Sequence, residues 1–264
     1  MKIFNTLIHK AEKFENKRRY GWKRDLPDQR DLLYKPLLTT TQLPPSVDLR
    51  SNCPIIQDQG NLGSCTAHAL TAAVEFLEIK DKHPIRMLSR LFVYYNERMI
   101  EGTIYSDSGA ALRDGVKALN KYGAPNEGLW GYNINVFTQK PNKQCYSTGA
   151  IHDIVQYKSL NNINDLKSCL ASGFPFVMGF TVYESFESPI VASTGIVPMP
   201  QQNESVLGGH AVCVVGYDDS KQSFLVRNSW GTSWGLSGYF WLPYGFITTG
   251  LASDFWVISK TKSE

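Results

Sequence analysis

Apolar residues recur at helical spacing along the first half of the chain. Residues 3–19 follow this period and predict an amphipathic helix. Residues 21–45 contain four prolines and show no period, so an extended strap or linker is expected there. Residues 66–79, rich in Ala, predict a buried helix that begins at Ser64 or Cys65. Two further helices are predicted over residues 89–99 and 108–121.

After about Cys145 the pattern changes to short runs typical of β-strands, with one helix candidate over residues 164–172. The predicted strands cover residues 151–157, 176–182, 210–217, 223–228, 238–242 and 255–258. Helices followed by strands indicate an α+β protein with two subdomains and a site in the cleft between them. The expected organisation is an N-terminal extension at 1–42, a mainly helical domain at 43–145 and a β-rich domain at 146–264.

Charge is distributed unevenly along a chain whose composition is otherwise ordinary. The 264 residues are 42% hydrophobic and carry a formal net charge of +3, which excludes a disordered or collagen-like protein. Residues 1–42, here called the leader, hold ten Lys and Arg and five Asp and Glu, a net +5 that leaves −2 for the rest. Asp25, Asp28 and Asp31 interrupt the basic residues, so nucleic-acid or nucleotide binding is not favoured. An intramolecular partner is the expectation instead.

Targeting, disulfide and metal signals are weak. The densest apolar run, residues 174–182, is too short to cross a bilayer, and no secretory signal is recognisable at the N-terminus. We expect a non-secretory, cytoplasmic protein, or one packaged in a particle if its source is a virus. Five scattered cysteines predict no disulfide scaffold. Cys65 and His68 lie three residues apart, as two ligands of a metal site can, but no second pair of ligands has a suitable spacing. Neither a metal nor a cofactor is therefore predicted.

One cysteine lies where a nucleophile could be activated. A polar, Gly-containing loop, residues 57–64, leads to Cys65 on the first turn of the buried helix. Free N–H groups and the positive end of the helix dipole favour a thiolate at that position. The alternative is that Cys65 is a small core residue, as most free cysteines are.

A thiolate also needs a base, and His210 is the favoured candidate among the five histidines. It follows Gly208 and Gly209 at the start of a predicted strand, where its ring can reach the cleft. His68, within the cysteine's own helix, is better explained as a buried, hydrogen-bonded side chain. Asn228 is suited to orient the imidazole through its amide oxygen, with Trp230 shielding that hydrogen bond from water.

Taken together, three motifs resemble those of the papain-like cysteine peptidases, the cathepsin family. They are Gln59-x5-Cys65, Gly209-His210-Ala211-Val212 and Asn228-Ser229-Trp230-Gly231-x2-Trp234-Gly235. The resemblance covers roughly residues 44–260 and implies a papain-like fold, with a helical left domain, a β-rich (barrel-like) right domain and peptide substrate between them. It implies that Cys65 is the nucleophile and His210 the acid and base. Gln59 would then join the Cys65 backbone N–H in the oxyanion hole.

The same resemblance suggests which residues hold the substrate. Ser108 and Gly109 match the segment that pairs with the substrate backbone, although Ser108 could instead cap the following helix. Gly208 and Gly209 match the rim of the subsite for a hydrophobic side chain. Trp230 and Trp234 match the leaving-group side of the cleft.

Departures from the family pattern are concentrated before and beside the nucleophile. Leu62 stands where secreted relatives have a disulfide cysteine, which agrees with a non-secretory setting. Residues 102–145 contain no histidine, so the carboxydipeptidase mode is not expected and an endopeptidase is. The leader lacks a recognisable propeptide motif, yet its charge and reach suggest that it folds over the acidic body and blocks the cleft. Such a protein would be a monomeric zymogen, with its leader as an intramolecular inhibitor.

Two alternatives remain. A catalytically silent papain-fold binding protein is disfavoured by the complete set of Gln59, Cys65, His210 and Asn228. Another acyl-transfer enzyme of the amidase or transglutaminase type is disfavoured by the Asn-Ser-Trp-Gly context.

Overall fold

A computed structural model describes residues 18–36, 38, 42–150 and 154–261. The helix predicted over residues 3–19 lies almost wholly outside the described residues. The helices are α1 Cys65–Lys80, α2 Arg90–Glu101, α3 Leu112–Tyr122, α4 Lys143–Gly149, α5 Ile163–Ala171, α6 Pro189–Thr194 and α7 Gly245–Thr248. The strands are β1 Trp22–Lys23, β2 Ser46–Asp48, β3 Ala110–Ala111, β4 Ile154–Leu160, β5 Phe176–Tyr183, β6 Val206–Asp218, β7 Ser223–Arg227, β8 Tyr239–Pro243 and β9 Ala252–Thr261.

Seven strands form one antiparallel sheet in the order β4-β9-β5-β6-β7-β8, with β2 paired to the end of β6. The α+β class is therefore confirmed. β6 is the longest strand because it pairs with β5 along its first part and with β7 and β2 along its second. His210 lies in its first half, directly opposite Phe180 of β5.

The helical half packs around α1. Nearly every side chain of α1 is buried, because α2 and α3 cover one side and the sheet covers the other. One apolar core lies between these helices and the sheet, and a second, rich in Phe, lies inside the curved sheet. The helix that we predicted from residue 108 begins only at Leu112, because Ala110 and Ala111 pair instead with the leader. No helix among the described residues is long and apolar enough to cross a bilayer.

The leader supplies the second, two-stranded sheet. Trp22 and Lys23 pair in parallel with Ala110 and Ala111 of β3. Further along, Asp25 accepts hydrogen bonds from the Arg113 backbone N–H at 3.1 Å and from Trp256 Nε1 at 2.9 Å. The described part of the leader is thus bonded to α3 of the helical half and to β9 of the sheet.

Candidate active site

Cys65 begins α1 and lies at the junction between the helical half and the sheet. Its side chain is fully buried, and its Sγ accepts a hydrogen bond from the backbone N–H of Ala211 on β6 at 3.4 Å. Burial raises the pKa of the Cys65 thiol to about 11, an effect opposed by backbone N–H groups of Ala211 and Gly21. The cysteine that we predicted as the nucleophile therefore contacts the backbone of Ala211, the residue that follows His210. Its raised pKa keeps it a neutral thiol at neutral pH.

His210 is held by the amide of Asn228, the residue that directly follows β7. Nε2 of His210 lies 2.8 Å from Oδ1 of Asn228, and that oxygen also accepts from the backbone N–H of Ser229 at 2.8 Å. Because an amide oxygen can only accept, Nε2 of His210 is the donor and carries the ring proton. Nδ1 makes no hydrogen bond within the part of the chain that the structure describes. The free lone pair of His210 is thus on the nitrogen that is not bonded to Asn228.

Aromatic rings enclose the imidazole. The ring of Trp230 lies 5.1 Å from that of His210, at an angle of 31°, and Phe180 contacts it edge-on at 5.8 Å. Burial accordingly lowers the pKa of His210 to about 4, although the bond to Asn228 acts in the opposite direction. Trp234 packs against Trp230 at 5.1 Å and is further from the imidazole.

Gln59 is buried beside Cys65 and its amide is fixed at both ends. Oε1 accepts from the hydroxyl of Ser229 at 2.6 Å, while Nε2 donates to the carbonyl of Leu62 at 3.0 Å. Nε2 also donates to a carbonyl of the leader, that of Arg19, at 3.2 Å. One amide N–H is therefore bonded within the body, and the other donates to a carbonyl oxygen that the leader supplies.

Residues 18–23 of the leader, here called the covering segment, contact Cys65, His210 and Gln59. Gly21 approaches the body so closely that a Cβ atom on it would lie 1.8 Å from the carbonyl oxygen of Gly63. The carbonyl of Gly21 accepts from the backbone N–H of Ala110 at 2.7 Å. Gly109 faces Gly21 just as closely and has a left-handed backbone, with φ of 67°. Glycine on both sides permits this backbone contact.

Two aromatic side chains of the covering segment flank Gly21. Tyr20 has its ring 6.0 Å from that of His210, and its hydroxyl donates to Glu187. A Cβ atom on Gly208 would meet Tyr20, and one on Gly209 would meet Trp22. The indole of Trp22 also donates to Asp254 at 3.0 Å. The two glycines that we assigned to a hydrophobic subsite are thus in contact with leader side chains.

Ion pairs lie along the rim of this contact. Their partners and N–O distances are Arg18 with Asp58 at 2.6 Å, Arg19 with Asp107 at 3.0 Å and Lys23 with Glu101 at 2.7 Å. The Arg18 guanidinium also lies over the ring of Trp230, 5.4 Å from its centroid. In each pair the leader supplies the cation and the body the anion, in agreement with the charge asymmetry of the sequence.

The sequence analysis did not identify two residues near the candidate site, Ser229 and Asp107. Ser229, which fixes the Gln59 amide, lies inside the Asn-Ser-Trp-Gly motif, where we considered only its neighbours. Asp107 accepts from the Gly63 backbone N–H at 3.0 Å and from the Tyr94 hydroxyl at 2.5 Å. An Asp between two serines just before Gly109 was its only sequence signal. By contrast, the hydroxyl of Ser108 bonds to Thr103, and Ser108 does not cap α3.

Comparison with known proteins places the chain among cysteine peptidases. The family described as papain family cysteine protease matches residues 43–257. A peptidase C1-like protein of Acanthamoeba polyphaga mimivirus is 42% identical over 92% of this chain and 87% of its own. Xylellain, a cysteine protease from Xylella fastidiosa, has a crystal structure that matches 93% of this chain and 96% of its own, with 43% identity and a TM-score of 0.84. A cathepsin B-like protein of Giardia intestinalis is 29% identical over 77% of this chain and 70% of its own.

Proposed function

The chain belongs to the papain family of cysteine proteases, and from that premise we propose that it hydrolyses peptide bonds through a thioester on Cys65. The observation that carries the proposal is the hydrogen bond between His210 Nε2 and Asn228 Oδ1. Asn228 holds the ring proton on Nε2, so Nδ1 is free to accept the thiol proton of Cys65. The thiolate then attacks the substrate carbonyl carbon, and the imidazolium returns its proton to the leaving amine. Water, activated by the same nitrogen, hydrolyses the thioester and regenerates the thiol.

Gln59 supplies the side-chain donor for the oxyanion that forms in both steps. Its Nε2 already donates to the Arg19 carbonyl at 3.2 Å, which marks a position where a carbonyl oxygen fits. The bond between Ser229 and Oε1 keeps the amide from turning its oxygen toward the substrate. A donor held in place before the reaction stabilises developing charge without reorganising during it. The backbone N–H of Cys65, at the start of α1, is the second donor.

Protein and peptide substrates would occupy the surface that the covering segment now contacts. We assign the substrate backbone to the Gly109 edge, where an N–H of Ala110 already bonds an extended chain. A hydrophobic side chain would lie over Gly208 and Gly209, which contact Tyr20 and Trp22 in this structure. Trp230 and Trp234 would border the leaving-group side. The lack of histidine in residues 102–145 favours an endopeptidase.

The leader would then be an intramolecular inhibitor, and the full chain a zymogen. Three substrate features are imitated by residues 18–23: a carbonyl on Gln59, a backbone strand on β3 and an aromatic side chain over Gly209. Burial beneath this segment also keeps Cys65 and His210 neutral, because a buried ion pair without solvent is costly. Departure of the segment would rehydrate both groups and favour the thiolate with the imidazolium.

Cleavage of a fluorogenic peptide by the full chain and by a chain beginning at Leu43 tests both parts of this proposal. We expect strong cleavage only by the shorter chain, and none by either chain when Cys65 is replaced by alanine. An irreversible epoxide inhibitor of papain-like peptidases, followed by mass mapping, should modify Cys65 and no other cysteine. Equal activity of the two chains would exclude inhibition by the leader, and absence of an adduct on Cys65 of the shorter chain would favour a silent binding protein.

A further inference from the structure

Behind the catalytic residues, on the side away from the leader, two small adjoining cavities separate α1 from the sheet. Each leaves about 10 Å³ for the centre of a water-sized sphere, which is close to the space that one water molecule needs. Both are lined by His68 and Ala72 of α1 and by Arg227, Asn228 and Ser229 of the sheet side. His68, Arg227 and Asn228 bring polar groups to both cavities, whereas the rest of the first cavity is lined mainly by apolar residues of α1 and β6. Gln57, Thr71, Glu75 and Arg90 complete the lining of the second cavity.

His68 presents a hydrogen-bond acceptor to this space. Its Nδ1 lies 3.0 Å from the carbonyl oxygen of Ser64, which can only accept, so Nδ1 carries the proton. Burial, with Arg90 nearby, lowers the pKa of His68 to about 3, so the ring is neutral. Its Nε2 is therefore an unprotonated acceptor. It is buried and makes no hydrogen bond among the described residues.

Asn228 presents a donor to the same space. Its Oδ1 is occupied by His210 and by the Ser229 backbone N–H, which orients the amide so that Nδ2 points away from the imidazole. Nδ2 is buried and has no partner within the described part of the chain. Two more buried donors without a partner there, Nε and Nη1 of Arg90, belong to a residue that lines the second cavity.

Buried polar atoms nearly always have a partner, and an unsatisfied one is costly. An acceptor and three donors around a space of one-water size fulfil the conditions for a bound water: enough room and two to four polar partners. We propose that ordered water in this cavity accepts from Asn228 Nδ2 and donates to His68 Nε2, and that His68 is thereby a positioning residue for Asn228 and His210. The assignment to catalysis rests on the function proposed above, whereas the water site itself does not.

The consequence is a link between the two halves of the site. Cys65 lies on α1, one turn from His68, whereas His210 and Asn228 lie on the sheet. A water bridge from His68 to Nδ2 would hold the Asn228 amide from its second end, as Ser229 holds that of Gln59. Because the orientation of the amide fixes which imidazole nitrogen carries the proton, loss of the bridge would let Asn228 rotate and weaken the bond to His210 Nε2.

A crystal structure of the full chain at a resolution that shows ordered solvent tests the water site directly. We expect a water oxygen within hydrogen-bond distance of both His68 Nε2 and Asn228 Nδ2. Its absence, with the cavity dry or closed, would overturn the proposal whatever the activity of the protein. This measurement needs neither a variant nor a substrate.

Variants test the positioning role. In a full chain opened by Gly21→Ala, His68→Phe keeps the ring volume and removes the acceptor, and His68→Gln restores an acceptor. We expect His68→Phe to slow epoxide labelling of Cys65 about tenfold and to shift the pH at which the labelling rate falls on the acidic side. His68→Gln should recover most of the rate. Val74→Ala, a core change on α1 outside both cavities, is the control for loss of stability and should shift neither quantity.

The possible failures can be told apart. If His68→Phe labels at the rate and pH profile of its parent, or if Val74→Ala reproduces the loss, His68 is only a core residue and the positioning role is wrong. If the chain beginning at Leu43, which has no leader, forms no adduct on Cys65, the proposed function is wrong, while a water found in the crystal would still establish the site.

Discussion

The proposed catalytic pair, Cys65 and His210, is buried from two sides that differ in composition. On the front, residues 18–23 cover Cys65 and His210 through backbone contact at glycines, two aromatic rings and ion pairs at the rim. On the back lie α1 and β6, which carry the two residues, with the two small cavities between these elements and apolar side chains of the main core around them. We expect the front contact to separate without unfolding of the body, whereas separation of α1 from β6 would disrupt the main core. We therefore expect the front to control activity and the back to align the proposed catalytic groups.

The largest change in activity should come from Gln59, because this residue bonds both to the body and to the leader. Gln59 bonds to Ser229 of the body and to the Arg19 carbonyl of the leader. Loss of an oxyanion donor typically lowers kcat about 100- to 1,000-fold. Gln59→Ala in a chain opened by Gly21→Ala should show that loss, with KM little changed, in steady-state peptide hydrolysis. Gln59→Glu, similar in size but without the donor, should be equally impaired, and a normal kcat in either variant would remove Gln59 from the oxyanion hole.

Removal of a ring from the front should have an intermediate effect. Trp22 is half-buried over Gly179 and Gly209, and replacing it with alanine should weaken the leader contact by about 2 kcal/mol. That loss corresponds to a roughly thirtyfold rise in the open fraction, and hence in peptidase activity of the full chain. Trp22→Phe keeps most of the apolar contact but not the bond to Asp254, so the activity of this variant should exceed that of the parent by much less. Equal activity of Trp22→Ala and the parent chain would mean that the ring does not hold the leader.

Two groups respond to pH in opposite directions at the front. Burial and the neighbouring Asp254 raise the pKa of Asp25 from 3.8 to about 6, so the leader contact loses stability as pH rises across that interval. Burial lowers the pKa of His210 from 6.5 to about 4, so the same contact loses stability as pH falls across that interval. Because the two shifts are similar in size, we expect them to offset each other largely between about pH 4 and 6.5.

Asp25→Asn should remove the contribution of Asp25 to this pH dependence and leave that of His210. The ratio of full-chain activity to that of the chain beginning at Leu43, which has no leader, is measured at each pH and isolates the leader contact from the pH dependence of the reaction. For the parent chain this ratio should stay within roughly threefold, and for Asp25→Asn it should rise about tenfold or more as pH falls from 6.5 to 4. Identical profiles for the two chains would show that Asp25 does not titrate with the leader contact.

The smallest effect should come from the rim. The Arg19 side chain is 62% exposed, and exposed ion pairs contribute little and are screened by salt. Arg19→Gln should raise the activity of the full chain by roughly threefold or less, and 1 M salt should remove even that difference. A larger gain would mean that ion pairs, rather than the Gly21 contact, hold the leader in place.

The sequence was sufficient for the parts of the molecule that depend on local pattern. The buried helix at Cys65 and the strand that carries His210 could be predicted from periodicity and from Gly208 and Gly209, and the observed α1 and β6 contain them. The family motifs then grouped Gln59, Cys65, His210 and Asn228, although they left the roles of these residues for experiment.

Long-range contacts could not be predicted in the same way. The start of α3 moved from residue 108 to Leu112 because its first residues pair with Trp22 and Lys23, almost ninety positions earlier in the chain. Likewise, Gly21 shows no local signal, since its role depends on the approach of Gly63. His68 was correctly expected to be buried and hydrogen-bonded, but the cavity that it shares with Asn228 exists only once the two halves pack together.

The central claim is that the covering segment, and not the body, keeps Cys65 unreactive. A Cβ atom on Gly21 would collide with the Gly63 carbonyl, so Gly21→Ala should weaken the leader contact by about 1 to 3 kcal/mol without touching the catalytic residues. Leu26→Ala, at a leader side chain that is 81% exposed, is the matched control. The decisive measurement is the rate of Cys65 alkylation by iodoacetamide at neutral pH, followed by mass spectrometry. We expect Gly21→Ala to react roughly 10- to 100-fold faster than the parent and Leu26→Ala at the parental rate. Equal rates for Gly21→Ala and the parent would contradict the account.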